Sequence, residues 1–293
     1  MDKNAAIARI KALQIWQGAP SLEKISGGRT NLNFKVTDDA GAYVVRLGDD
    51  IDAHHVLRFN ELAAARAAHA AGLSPAVRLA EQGLTVIDFI DAKTLQESDI
   101  RSPEYLEKTV RLLHKCHIEV PKHFHGPALI FWVFHVLRDY CTTLEEGGSA
   151  YAAEVPDFRA LTEELEAAAG PFDIVFGHND LVAANVLDDG KRLWLIDWDY
   201  AGFNSPLFDL GGLASNNGLS DAQERQMLEF YFGTPADGAL FHRYFAMKTA
   251  SILREAMWSM VSEMTSTLDV DYAAYTAENL ARFRAVLSDY RNL

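Results

Sequence analysis

Apolar residues along this chain switch between helical and alternating spacing, and the switches divide it into segments. Ile7, Ile10, Leu13 and Ile15 or Trp16 recur at near-helical intervals between Asn4 and Trp16, where Gly18-Ala19-Pro20 ends the run. From Ser21 to Gly48 the pattern alternates, with turn signals at Ser26-Gly27-Gly28 and Asp38-Asp39-Ala40-Gly41, which predicts antiparallel strands. Ala53 to Ala71 is alanine-rich and helix-prone, with Gly72 as its stop and Pro75 beyond. Val77-Arg78-Leu79 and Leu84 to Ile90 read as further strand, and the polar residues after them place a lobe boundary near residues 89 to 95.

The rest of the chain is mainly helical in pattern. Leu106, Val110, Leu113 and Cys116 mark a helix from Pro103 to His117, residues 128 to 144 read as an aromatic-rich core helix, and residues 157 to 169 as an acidic one ended by Gly170-Pro171. Between this group and the next lies a different stretch. Ile174 to Phe176 is a short buried strand, followed by a polar loop with His178, Asp180 and Asn185. Val186-Leu187 and Leu193 to Ile196 then bracket Asp188-Asp189-Gly190, the signature of a hairpin that delivers Asp197. This brings Asp180, Asn185 and Asp197 toward one point. After Leu210 the chain returns to helix. Ser220-Asp221-Ala222-Gln223 is a start signal, Phe241 to Met264 forms a long helix containing Trp258, and Tyr275, Leu280, Phe283, Val286 and Leu287 mark a last one. The layout is α+β: a small antiparallel sheet with one main helix, then a helical lobe carrying a polar hairpin.

Composition narrows the chemistry. With 293 residues, 49% of them hydrophobic, the chain can bury a large core as one big domain or two lobes. It has no apolar run near the roughly 20 residues a membrane helix needs and no signal-peptide pattern, so a cytoplasmic protein is expected. The formal charge of −14 argues against a nucleic-acid partner and suits a small cation better. Cys116 and Cys141 are too few for a disulfide framework. The spacing of His114, His117, His123 and His125 runs into a proline-containing loop and completes no zinc set.

The hairpin carries what phosphoryl transfer asks of a protein: oxygens for Mg²⁺ held against nucleotide phosphates, and a carboxylate for the attacking hydroxyl. Asn185 and Asp197 supply the first and Asp180 the second. Elsewhere the signals are weaker. The loop from Ser26 to Asn31 allows backbone N–H groups to approach phosphate, yet a Gly-Gly pair is also an ordinary turn. Arg46 interrupts an apolar strand, as a surface position or a ligand contact would, and Glu61 lies near the packed face of its helix or on its solvated side.

His178-Asn179-Asp180 with Asn185, the string Ile196-Asp197-Trp198-Asp199-Tyr200, and Phe208-Asp209-Leu210-Gly211 together resemble the catalytic segment of the protein-kinase-like small-molecule kinases. That group includes choline, ethanolamine and aminoglycoside kinases, and the match is most similar to choline/ethanolamine kinase. The resemblance implies a two-lobed fold, residues 1–90 holding the phosphate loop and ATP-facing sheet and 91–293 the catalytic hairpin and acceptor site. It makes Asp180 the catalytic base, braced by His178, and Asn185 and Asp197 the Mg²⁺ ligands. It gives ATP to Gly27, Gly28, Thr30 and Asn31, to Arg46 paired with Glu61, and to a hinge at Asp88, Phe89 and Ile90.

The acceptor implied is a small cationic alcohol, choline first. Ethanolamine, thiamine or an aminoglycoside are the alternatives on this scaffold, and a pseudokinase that only binds is the non-enzymatic one. A quaternary ammonium is recognised by aromatic faces and nearby carboxylates. By position those are Asp199, Tyr200, Trp258 and Tyr275. Two departures stand out. Arg254-Glu255 replaces a second Trp one turn before Trp258, and Asn216 replaces a common acid, so Glu255 is expected to meet the ammonium directly, which keeps ethanolamine open. Oligomeric state is not legible in these residues.

Overall fold

The computed structural model describes residues 3–25, 31–266, 268 and 270–293. Helix α1 (Lys3–Lys11) precedes the strands β1 (Ser21–Ile25), β2 (Leu32–Thr37) and β3 (Ala42–Leu47), then α2 (Arg58–Ala70), β4 (Val77–Glu81) and β5 (Leu84–Asp88). The five strands form one antiparallel sheet in the order β1-β2-β3-β5-β4. Val45 pairs with Phe34 on one side and Val86 on the other. With Val36, Leu47 and Leu84 these side chains bury one face of the sheet against Ala6, Ile10 and Leu13. Strand alternation turns Arg46, between Val45 and Leu47, to the opposite face.

Helix α1 stops short of the predicted Trp16; Leu13 and Trp16 still pack, with Trp16 Nε1 donating to Ile10 O at 2.7 Å. The helix expected from Ala53 begins instead at Arg58. His55 adopts a left-handed φ of 59° and Ile51 bridges to Val56, which closes a tight loop before the helix can start.

Strand β6 (Lys93–Thr94) and α3 (Glu97–Ile100) lead into α4 (Pro103–His123), which runs past the predicted His117 and tolerates Pro121 in its last turn. Helix α5 (Val133–Glu146) begins later than expected because Ile130 is drawn into a bridge with Phe203. Then follow α6 (Val155–Ala169), β7 (Val175–Gly177), β8 (Val186–Asp188), β9 (Leu193–Leu195) and β10 (Gly202–Asn204), which pairs with β7. Strand β8 joins β9 as the predicted hairpin and takes β6 on its other edge. Helices α7 (Pro206–Asn217), α8 (Asp221–Phe232), α9 (Gly238–Thr265) and α10 (Tyr272–Arg291) complete the larger lobe. Ser220 and Gln223 form the capping box that starts α8.

Helix α9 is the axis of this lobe, buried along most of its length. It meets α7 backbone to backbone: a Cβ on Gly211 would lie 2.8 Å from Lys248 Cα. The large core also includes Ala64, Ala67 and Ala68 of α2, so that helix packs against the helical lobe as well as beneath the sheet. Among the described residues, no helix is long and apolar enough to cross a membrane.

Candidate active site

The polar loop after β7 is held from behind by a buried carboxylate. Asp209, in the first turn of α7, receives the His178 N–H on Oδ2 at 2.8 Å and the Asn179 N–H on Oδ1 at 2.7 Å. Its own partner is His117 Nε2 at 2.9 Å, and His117 Nδ1 meets Tyr231 OH at 2.6 Å. This close approach requires Gly177, where a Cβ would stand 3.0 Å from Asp209 Oδ2. Asn179 has a left-handed φ of 64° and is fixed there by donating to Tyr200 O at 2.9 Å and Gly202 O at 3.2 Å. His178 Nε2 donates to Ile196 O at 2.9 Å, and burial lowers the pKa of its ring, keeping it neutral. The loop and the end of the hairpin are thus one unit.

From that unit Asp180, Asn185 and Asp197 face a common cavity of about 540 Å³. Asn185 Nδ2 donates to the Asp180 backbone carbonyl at 2.9 Å, which leaves the amide oxygen for another partner. Burial pushes the Asp180 carboxyl up to about 7, with the charge of Arg254 working in the opposite direction. Asp197 also has a left-handed φ, 69°.

On the sheet side Arg46 gathers three carboxylates: Glu61 at 2.9 Å, Asp197 at 2.9 Å and Asp199 at 2.8 Å. Burial would lower its pKa, but the three carboxylates together hold it above the ordinary value. Arg58 joins the cluster through Glu61 at 2.6 Å, Asp199 at 2.8 Å and Asn31 Oδ1 at 2.8 Å. The two aspartates differ. Asp199, with a side chain only 4% exposed, is pushed up to about 7 by burial. Asp197, 36% exposed, stays below the usual range because Arg46 outweighs its burial. Asp199 was expected at the acceptor; it borders the cavity, but its Oδ1 lies between two guanidinium groups, and its charge answers them first.

The opposite wall is aromatic and belongs to α9 and α10. Trp258 Nε1 donates to Tyr200 OH at 2.9 Å, and the Trp258 ring stacks on His54 at 4.7 Å between centroids. Tyr275 OH donates to Glu255 Oε1 at 2.6 Å. Tyr200, Asn216, Glu255, Trp258 and Tyr275 all line the cavity that contains Asp180.

Some expected residues lie elsewhere. Gly27, Gly28 and Thr30 fall outside the described residues, and Asn31 borders the cavity. The Asp88 and Phe89 amides are taken by Ala76 O and Ala42 O, both at 3.0 Å, and Arg78 binds the Asp88 carboxylate. Among the described residues that leaves Ile90 as the hinge amide not engaged by the sheet. Three participants escaped the sequence reading. Arg58 carries no signal of its own in the alanine-rich run from Ala53 to Ala71, Asp209 reads as a motif marker without a task, and Arg254 as the mere absence of a tryptophan.

The donor set suits Mg²⁺. Among the described residues no three His, Cys, Asp or Glu side chains gather to hold an ion by themselves. One amide and one carboxylate oxygen at the edge of an open cavity fit a hard cation that completes its shell with phosphate and water.

The sequence profile of the family described as choline/ethanolamine kinase matches residues 22–220. A probable ethanolamine kinase of Arabidopsis thaliana is 29% identical over 289 residues, spanning 87% of this chain and 76% of the relative. The crystal structure of a choline/ethanolamine kinase family protein from Mesorhizobium loti superposes with a TM-score of 0.79 at 28% identity, covering 98% of this chain and 95% of that one. A crystal structure of LicA in complex with AMP shares the fold, with a TM-score of 0.79 at 23% identity over 99% of this chain and 100% of the other. The chain therefore belongs to the choline/ethanolamine kinase family and is an ATP-dependent alcohol phosphotransferase with a two-lobed protein-kinase-like fold.

Proposed function

We propose that this enzyme transfers the γ-phosphoryl group of ATP to the hydroxyl of a small amino alcohol, choline or ethanolamine, held in the cavity between the hairpin and α9–α10. One observation carries the reading: Asp180, Asn185 and Asp197 share a single cavity with Tyr200, Glu255, Trp258 and Tyr275. An acceptor whose ammonium lies among the latter group reaches Asp180 with its hydroxyl.

In this reading Asp180 orients the hydroxyl and takes its proton, a task for which a carboxyl group near pH 7 is well matched. Asn185 and Asp197 would hold Mg²⁺, which when bound neutralises charge on the phosphates. Arg46 presents its guanidinium to the phosphates, kept in place by Glu61, and Asp199 serves as its brace. Asn31 and the glycine loop before it meet the phosphates, and Ile90 the base. ATP as donor is consistent with the cytoplasmic location expected for this chain. An aminoglycoside acceptor calls for an open, poorly aromatic groove, and the Tyr200–Trp258–Tyr275 wall favours a small cation instead.

Purified protein supplied with Mg²⁺-ATP and, in turn, choline, ethanolamine, thiamine and kanamycin tests this. A phosphate ester formed on choline or ethanolamine is the expected product. Folded protein that phosphorylates neither overturns the reading.

A further inference from the structure

Arg254 is an unusual wall for a cavity that receives a cation. It lies mid-helix in α9 and is 5% exposed. Its guanidinium carbon sits 4.2 Å from the centroid of the Tyr200 ring and 5.7 Å from that of Phe131. Nη1 reaches Glu255 Oε2 at 3.3 Å, while Nε and Nη2 are buried without a hydrogen-bond partner. A buried guanidinium with two unsatisfied nitrogens is costly, and the Tyr200 face offsets part of that cost alongside the charges of Glu255 and Asp180.

Such faces are what a trimethylammonium group would need. With no N–H to donate, it depends on rings, and the Tyr200 face is already covered by a cation of the protein's own. The Trp258 ring is stacked on His54. A trimethylammonium would also stand beside Arg254 with like charge and little water between them. A primary ammonium differs, because its three donors can bond directly to the Glu255 carboxylate.

Resting on the amino-alcohol reading above, we infer that Arg254 is a specificity-determining residue, which turns the acceptor site toward primary ammonium alcohols and against quaternary ones. Wild-type enzyme should show kcat/KM falling along ethanolamine, N-methylethanolamine, N,N-dimethylethanolamine and choline, by about tenfold or more overall. Arg254→Met keeps an unbranched apolar stem out to the level of Nε and removes the charged guanidinium. The ethanolamine-to-choline ratio should then fall by about tenfold, chiefly through a lower choline KM.

A ratio unchanged in folded Arg254→Met overturns the inference and leaves the kinase reading standing. So does a wild-type preference for choline along the methyl series, a measurement that does not depend on the variant folding. Absence of turnover on all four alcohols overturns both.

Discussion

Arg46, half-buried, and Arg254, buried, are cations beside the same cleft, and the chain treats them in opposite ways. Arg46 sits among three carboxylates within 2.9 Å, so its charge is more than answered at its end of the cleft. Arg254 has one carboxylate at 3.3 Å, an aromatic face and two unpartnered nitrogens. A guanidinium enclosed by acids is held in a fixed pose, ready for anionic phosphate. One resting on tyrosine changes what an aromatic pocket can accept. On the proposed reading, the same side chain prepares one end for an anion and edits the other against a class of cation.

The largest expected effect lies between the two. Asp180→Ala should cut turnover by about 10²- to 10⁴-fold while nucleotide binding, followed by calorimetry, stays close to wild type. Equal loss of both would place Asp180 at the nucleotide and dissolve the division of the cleft. Arg46→Met comes next. It leaves Glu61 and Asp199 with Arg58 alone and takes from Asp197 its ion-pair partner, so nucleotide affinity should fall by about tenfold or more and stability by about 2–3 kcal/mol, read from chemical denaturation. A variant that binds nucleotide as tightly as wild type would show that the three carboxylates hold Arg46 for structure only.

Trp258→Phe preserves a ring against His54 and removes the N–H given to Tyr200 OH. The acceptor KM should rise by about three- to tenfold with the ATP KM unmoved. An unchanged acceptor KM makes Trp258 a core residue. The smallest effect concerns His54, whose pKa burial depresses from 6.5 to about 3. Folding favours its neutral form, so this contribution to stability is complete above about pH 6.5 and is lost progressively as pH falls toward 3. His54→Gln should flatten the slope of Tm against pH in that window; an unaltered slope would mean that His54 does not anchor Trp258 through its neutral state.

What could be read in advance follows the distances along the chain. Asp180, Asn185 and Asp197 lie within one hairpin and its loop, so local turn chemistry and alternation bring them together. Arg58 and Asp199 are 141 positions apart, and Arg254 and Tyr200 meet only because α9 lies behind the hairpin. A basic residue within an alanine-rich helical run has many surface explanations, and nothing local separates them from this one. Strand β10 went unseen for a related reason: three residues hold too little pattern, and pairing with β7 supplies the order. The broad division into sheet and helical lobe was legible because periodicity survives over long segments. The late start of α2 was hidden, since a left-handed histidine leaves no mark in an alanine-rich run.

The position of α2 has a mechanical consequence. Its alanines belong to the large core, whereas Arg46 rides on a strand of the small one. Glu61, Asp197 and Asp199 therefore all stand on the far body, and at the cleft Arg46, with Asn31 beside it, ties the sheet to that body. To part the two bodies is chiefly to draw one cation out of three anions. A triphosphate offers that cation another home, so nucleotide arrival would loosen the tie as it fills the cleft, making the donor substrate the key to the joint it enters.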